Sequence, residues 1–86
     1  MIHVELFGIP RSRAGVEKTT AKGPCLGDVL LDLSERFPAL AKECIDGRSL
    51  RAGYTANLRG EQFITDPETR LTDGDTLLLL TLDAGG

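Results

Sequence analysis

Thr76-Leu77-Leu78-Leu79-Leu80-Thr81-Leu82-Asp83-Ala84-Gly85-Gly86 is the stretch on which the reading of this sequence turns. Four consecutive leucines between threonines predict a strand that is covered on at least one face. Side chains alternate across a strand, so Leu77 and Leu79 point one way while Leu78, Leu80 and Leu82 point the other. Past Leu82 the side chains shrink to Ala84 and two glycines. A glycine end commonly frays and does nothing. Here no linker separates it from the most apolar strand. A rigid domain, residues 1–82, is therefore expected to hold out a short flexible tail, residues 83–86. A thin carboxylate on Gly86, presented at a fixed distance from the core, suits chemistry carried out on it by another protein.

Working outward, Ile2, Val4 and Leu6 alternate with His3 and Glu5, and Phe7 extends the run, which predicts a first strand. Gly8 to Gly15 reads as a loop, punctuated by Gly, Pro and Ser. Val16 to Ala21 is a weaker second strand whose Lys18 and Lys22 suit a sheet edge. Gly23-Pro24 stops it, and the period then changes. Leu26, Val29, Leu30, Leu33 and Phe37 recur at helical spacing, with Asp28 and Asp32 early, where the helix dipole favours them. Pro38 ends this helix at Phe37. Leu40 and Ile45 continue the apolar seam irregularly. Tyr54, Ala56 and Leu58 alternate with Thr55 and Asn57 in a third strand, Glu61 to Ile64 form a short fourth, and Asp73-Gly74-Asp75 turns into the last.

Strand, strand, helix, then three strands describes an α+β roll: a mixed sheet of four to five strands with one main helix packed on one face. The first and last strands are the most apolar and should be central neighbours. One helix covers only one face, so the outward set of leucines is either covered by loops or forms an apolar patch beside the tail, the usual mark of a protein partner.

The 86 residues suffice for one small domain, and 41% hydrophobic with 27% charged residues is ordinary for a globular chain. A net charge of −3 with scattered arginines argues against nucleic acid. No apolar run reaches the roughly 18 residues of a membrane span, and the N-terminus does not resemble a signal peptide, so no membrane partner and a cytoplasmic location are expected. Cys25 and Cys44 have no metal-type spacing and are read as free thiols, short of the four needed for an iron–sulfur cluster. Cys25, at the expected helix N-cap, is the one side chain suited to redox or persulfide chemistry, although such a cysteine is more often a small packed residue. His3 has no ligand partners in sequence. Asp73 and Asp75 look like paired carboxylates but belong first to a turn. No nucleophile–base set, phosphate loop or metal cluster is present, so the chain is not expected to be an enzyme.

Leu71-Thr72-Asp73-Gly74-Asp75 running into the leucine strand, Ala84-Gly85-Gly86 at the end, the opening strand from Ile2 and the helix Leu26–Phe37 before Pro38 together resemble the ThiS/MoaD-type sulfur carriers. That family comprises ubiquitin-like β-grasp proteins such as the thiamine-pathway carrier and the small subunit of molybdopterin synthase. The likeness spans essentially the whole chain. It departs from the family where Thr81-Leu82-Asp83 replaces the usual prolines, and where Cys25 replaces a helix-capping Ser or Thr. Asn57 stands where the family often has Asn next to Gly, yet Gly60 lies three residues on.

The resemblance implies a β-grasp fold and a carrier role. An adenylating enzyme of the ubiquitin-activating type would use ATP and Mg²⁺ to activate the Gly86 carboxylate. Sulfur would then displace AMP to give a thiocarboxylate, and a synthase would accept the sulfur. No cofactor is expected on the chain itself. By position, Gly85 and Gly86 form the reacting end, while Leu78, Leu80, Leu82, Asp83 and Ala84 face the partner. Two other readings stand beside it: a ubiquitin-like modifier joined through Gly86 to lysines, and a small interaction domain whose Gly-Gly is incidental.

Overall fold

A computed structural model describes residues 1–82. Its centre is β7 (Thr76–Thr81), which pairs in parallel with β1 (Ile2–Leu6) and antiparallel with β5 (Tyr54–Leu58). β2 (Lys18–Ala21) flanks β1, and β6 (Gln62–Ile64) flanks β5, giving the order β2-β1-β7-β5-β6. The first and last strands are thus central neighbours, and the lysine-bearing second strand lies at an edge, both as its composition indicates.

The covered face is built by alternation. Ile2, Val4 and Leu6 from β1, Leu77 and Leu79 from β7, and Ala56 and Leu58 from β5 are all 5% exposed or less. They meet α2 (Leu26–Arg36), whose Leu26, Val29, Leu30 and Leu33 are fully buried. Burying those four side chains is worth roughly 6–12 kcal/mol before conformational entropy is set against it. The leucine parity expected for the last strand is the one observed.

Three features differ from the sequence reading. Gly8–Ala14 is not a loop but a short helix, α1, with Pro10 buried in its first turn. Proline is tolerated there because the first N–H groups of a helix lack partners anyway. Gly15 ends α1 with φ +78° and donates its N–H to the Arg11 carbonyl at 2.9 Å, a left-handed cap that glycine adopts freely. Secondly, Pro38 ends α2 and at once starts α3 (Pro38–Cys44), where it occupies the first turn. Leu40 and Cys44 therefore enter the core on a helix rather than an irregular segment. Three helices, not one, share the covered side. Thirdly, Ile45 and Asp46 (β3) pair with Ser49 and Leu50 (β4) in a small separate hairpin.

Asn57 and Thr55 also depart from simple alternation, since every residue of β5 is buried. β5 lies between β7 and β6, so side chains of both neighbours close over its outward positions. Among the described residues no helix is long and apolar enough to cross a membrane.

Gly23 separates β2 from α2 with φ +150°, and a Cβ there would lie 2.6 Å from Asp28 Cβ and 2.9 Å from the Val29 nitrogen. Gly23→Ala is therefore expected to destabilise the fold by about 1–3 kcal/mol, read as a lower denaturant midpoint at unchanged slope.

Candidate functional site

The helices cover one face of the sheet and leave the other open. Cross-strand pairing places His3 and Glu5, Thr76 and Leu78, and Thr55, Asn57 and Phe63 on that open side. Leu80 pairs with Thr55 on the same side, towards the end of β7. Leu78 and Leu80 are half-buried, whereas Leu82 is 60% exposed. The Leu82 N–H still donates to the Gly53 carbonyl at 2.8 Å, so β7 stays attached to the domain up to that residue. The partner-facing and reacting residues expected beyond it, Asp83, Ala84, Gly85 and Gly86, lie outside the described residues.

Two aromatic residues that the sequence reading did not assign to a face widen the apolar area. Phe63, 66% exposed, stands opposite Asn57 on β6. Phe7, 45% exposed, continues the extended backbone of β1 and donates its N–H to the Leu79 carbonyl, so alternation puts it beside Leu80. The parity of Phe7 with His3 and Glu5 was legible in the sequence; that of Phe63 depended on its register with β5. Phe63, Leu80 and Leu82 line an apolar cleft of about 150 Å³ with Thr55 and Thr81. An apolar area of this kind, beside the end of the central strand, is suited to docking another protein.

Asp73 and Asp75 do structural work. The Met1 ammonium pairs with Asp73, and the Gly74 N–H donates to the Met1 carbonyl at 2.9 Å. Asp75 accepts the Thr72 N–H at 2.8 Å and the Arg59 guanidinium at 3.0 Å. The Thr72 bond foremost, then Arg59, hold its carboxyl below the ordinary value against the opposing pull of partial burial. The turn thereby fastens the N-terminus and the β5–β6 hairpin to the start of β7.

Cys25 is the N-cap residue of α2 as expected, but its thiol does not cap the helix. It donates to Asp28 at 3.1 Å and accepts from Arg48 at 3.3 Å, buried beneath that guanidinium. Burial pushes the Cys44 thiol up. Nearby, the Tyr54 hydroxyl donates to Glu43 at 2.8 Å, and that bond with desolvation raises its pKa to about 12. Glu43 also pairs with Arg13, so α1, α3 and β5 are tied together. His3 is exposed on β1. Among the described residues no group of three or more His, Cys, Asp or Glu side chains is placed to hold a metal ion.

No protein-family model and no curated protein sequence matches the chain. Solved structures do. A chain of the BexX/CysO complex from Amycolatopsis orientalis superposes with a TM-score of 0.80 at 23% identity, over 100% of both chains. Small archaeal modifier protein 1 from Methanosarcina acetivorans gives 0.78 at 28% identity, over 99% of this chain and 95% of its own. A putative molybdopterin converting factor subunit 1 from Pyrococcus furiosus gives 0.71 at 21% identity, over 93% and 94%. The five-stranded mixed sheet with its helices on one side is a β-grasp fold. The structural neighbours are ThiS/MoaD-type ubiquitin-like sulfur carriers, the family that the sequence motifs resemble.

The two faces of β7 should respond differently to charge. Leu79→Glu places a carboxylate in the core and is expected to abolish the cooperative thermal transition. Leu80→Glu is expected to preserve the circular dichroism spectrum and cost no more than about 1 kcal/mol. For Asp75, the depressed carboxyl contributes stability that is complete above the usual carboxylate range and lost as pH falls through its lowered value. Thermal midpoints of Asp75→Asn followed against pH should therefore converge on those of the wild type at the acid end.

Proposed function

We propose that this protein is a sulfur carrier whose Gly86 carboxylate is charged by a separate enzyme. The observation that carries this reading is the placement of β7. It runs through the middle of a β-grasp sheet and leads, two residues after an exposed Leu82, into Ala84-Gly85-Gly86. The open apolar face beside the end of that strand supplies a docking surface, so domain recognition and tail chemistry can be divided between two parts of one partner.

In the proposed cycle a ubiquitin-activating-type enzyme holds ATP and Mg²⁺. The Gly86 carboxylate attacks the α-phosphate and pyrophosphate leaves. Sulfide then attacks the acyl carbon, AMP leaves, and a thiocarboxylate remains for a synthase to consume. Where a persulfide is the nucleophile, the product is an acyl disulfide, and a second thiol of the partner attacks the donor sulfur, releasing the thiocarboxylate and leaving a disulfide behind. Glycine suits both positions because a residue without a Cβ passes a narrow channel and leaves the carbonyl open to attack. Leu78, Leu80 and Leu82, with Phe7 and Phe63, provide the docking surface, and Asp83 and Ala84 join it to the reacting end. The chain acts as a co-substrate or small synthase subunit rather than as a catalyst. Support comes from the structural neighbours, among them one that crystallised in a complex and one titled a subunit of a molybdopterin converting factor.

A second reading, conjugation through Gly86 to lysines of other proteins, is favoured by the neighbours titled small archaeal modifier protein 1. Both readings share the activation step and differ in its product. Intact-protein mass after co-expression with the activating enzyme separates them: one oxygen replaced by sulfur for a carrier, heavier protease-sensitive adducts for a modifier. The same spectrum, showing Gly86 as the last residue, checks the reacting end. Gly86→Ala is expected to keep the thermal midpoint of the wild type and to lose ATP–pyrophosphate exchange. Undiminished exchange would refute the proposal.

A further inference from the structure

Across the middle of the open face runs one row drawn from all five strands: Lys18, Glu5, Leu78, Asn57 and Phe63. Apolar docking accounts for Leu78 and Phe63 but not for the two polar residues that flank Leu78. Asn57 is only 7% exposed, and its amide oxygen is buried without a hydrogen-bond partner among the described residues. An enclosed acceptor lacking a donor is costly to the free fold, and a Thr or Val would suit a strand position better. Glu5, on the opposite side of Leu78, forms no ion pair among the described residues, although Lys18 is its cross-strand neighbour. The nearby Arg59 is already engaged by Glu61 and Asp75. Glu5, Asp75 and Leu78 border a hollow of about 460 Å³ that opens onto the face.

Two acceptors thus stand either side of one leucine, each without a donor or cation among the described residues. We propose that a partner protein lays an arginine across Leu78, its guanidinium donating both to the Glu5 carboxylate and to the Asn57 amide oxygen. This inference rests on the reading of the open face as the surface that docks the activating enzyme, and it specifies the chemistry of that enzyme's contact. Arginine fits better than lysine: its guanidinium is flat, weakly hydrated and carries five N–H donors in a rigid fork, so it can lie on an apolar side chain while reaching sideways. Neighbouring strands are about 4.8 Å apart, so Glu5 and Asn57 are separated by about 10 Å at the backbone, a span that two side chains and a guanidinium cover together. The Asn57 oxygen is enclosed in the free chain, and a turn of its amide on docking exposes it. The apolar residues towards the end of β7 accept any greasy surface; the acceptor pair rejects one that brings no donor, because both groups would then be buried unpaired.

The test uses the full chain and the ubiquitin-activating-type enzyme of the source organism, with affinity measured calorimetrically in the presence of ATP at low and high salt. Asn57→Leu is expected to raise the thermal midpoint of the free chain while weakening binding about tenfold or more, the loss of one charge-assisted hydrogen bond. Glu5→Gln is expected to weaken binding and flatten its salt dependence. The double variant should lose less than the two single losses combined, since both act on one guanidinium. Wild-type binding that neither variant weakens would overturn the arginine contact while leaving the carrier function standing. A lowered midpoint for Asn57→Leu would also overturn it, by showing that the amide is used within the free fold. So would a dimer in sedimentation that Leu80→Glu dissociates, because a second copy would then cover the face. Failure of the wild type itself to bind would remove the carrier reading, and this inference with it.

Discussion

Parallel pairing of the first strand with the last is the constraint on which the structure depends. Two strands at opposite ends of the sequence can pair in parallel only if everything between them crosses over. Leu77 and Leu79 supply the reason for the pairing to form. Fully buried in one cluster with the apolar residues of α2, they are joined on their flanks by Val4 and Leu6 from β1 and by Ala56 and Leu58 from β5. The rest of the chain is arranged to close that layer, with α1 and α3 extending the cover that α2 begins.

Because all three helices lie on one side, the same strand that anchors the core also exposes its alternate residues. Leu78 and Leu80 are outward for the same geometric reason that Leu77 and Leu79 are inward. Core stability and surface character therefore cannot be varied independently along β7. An apolar outward set is a cost to a free monomer unless another surface covers it. Asn57, beside Leu78, carries the one buried polar side-chain atom on this face without a hydrogen-bond partner among the described residues.

The turn before β7 shows how acidic residues in a small domain can be mistaken for chemistry. Asp73 and Asp75 are close in sequence, yet one holds the N-terminal ammonium and the other holds Thr72 and Arg59. Their partners come from three separate parts of the chain, which makes the turn a fastening point for strand ends. Cys25 similarly has its thiol occupied by Asp28 and Arg48 beneath a covering guanidinium.

Most of the architecture was legible before any coordinates. Local pattern located all five strands of the main sheet to within a residue or two, the main helix and the inward leucines, since period two and period 3.6 are imposed by backbone geometry. Gly8–Ala14 and Pro38–Cys44 were not legible as helices, because proline near a helix start looks the same in sequence as proline in a loop. The Gly-Gly end and the outward leucines were likewise plain from the sequence. Only tertiary structure decided that Phe7 and Phe63 join Leu80 on one surface, and that Glu5 and Asn57 flank Leu78. Those neighbours are far apart along the chain, and strand order and register, which no local pattern encodes, bring them together.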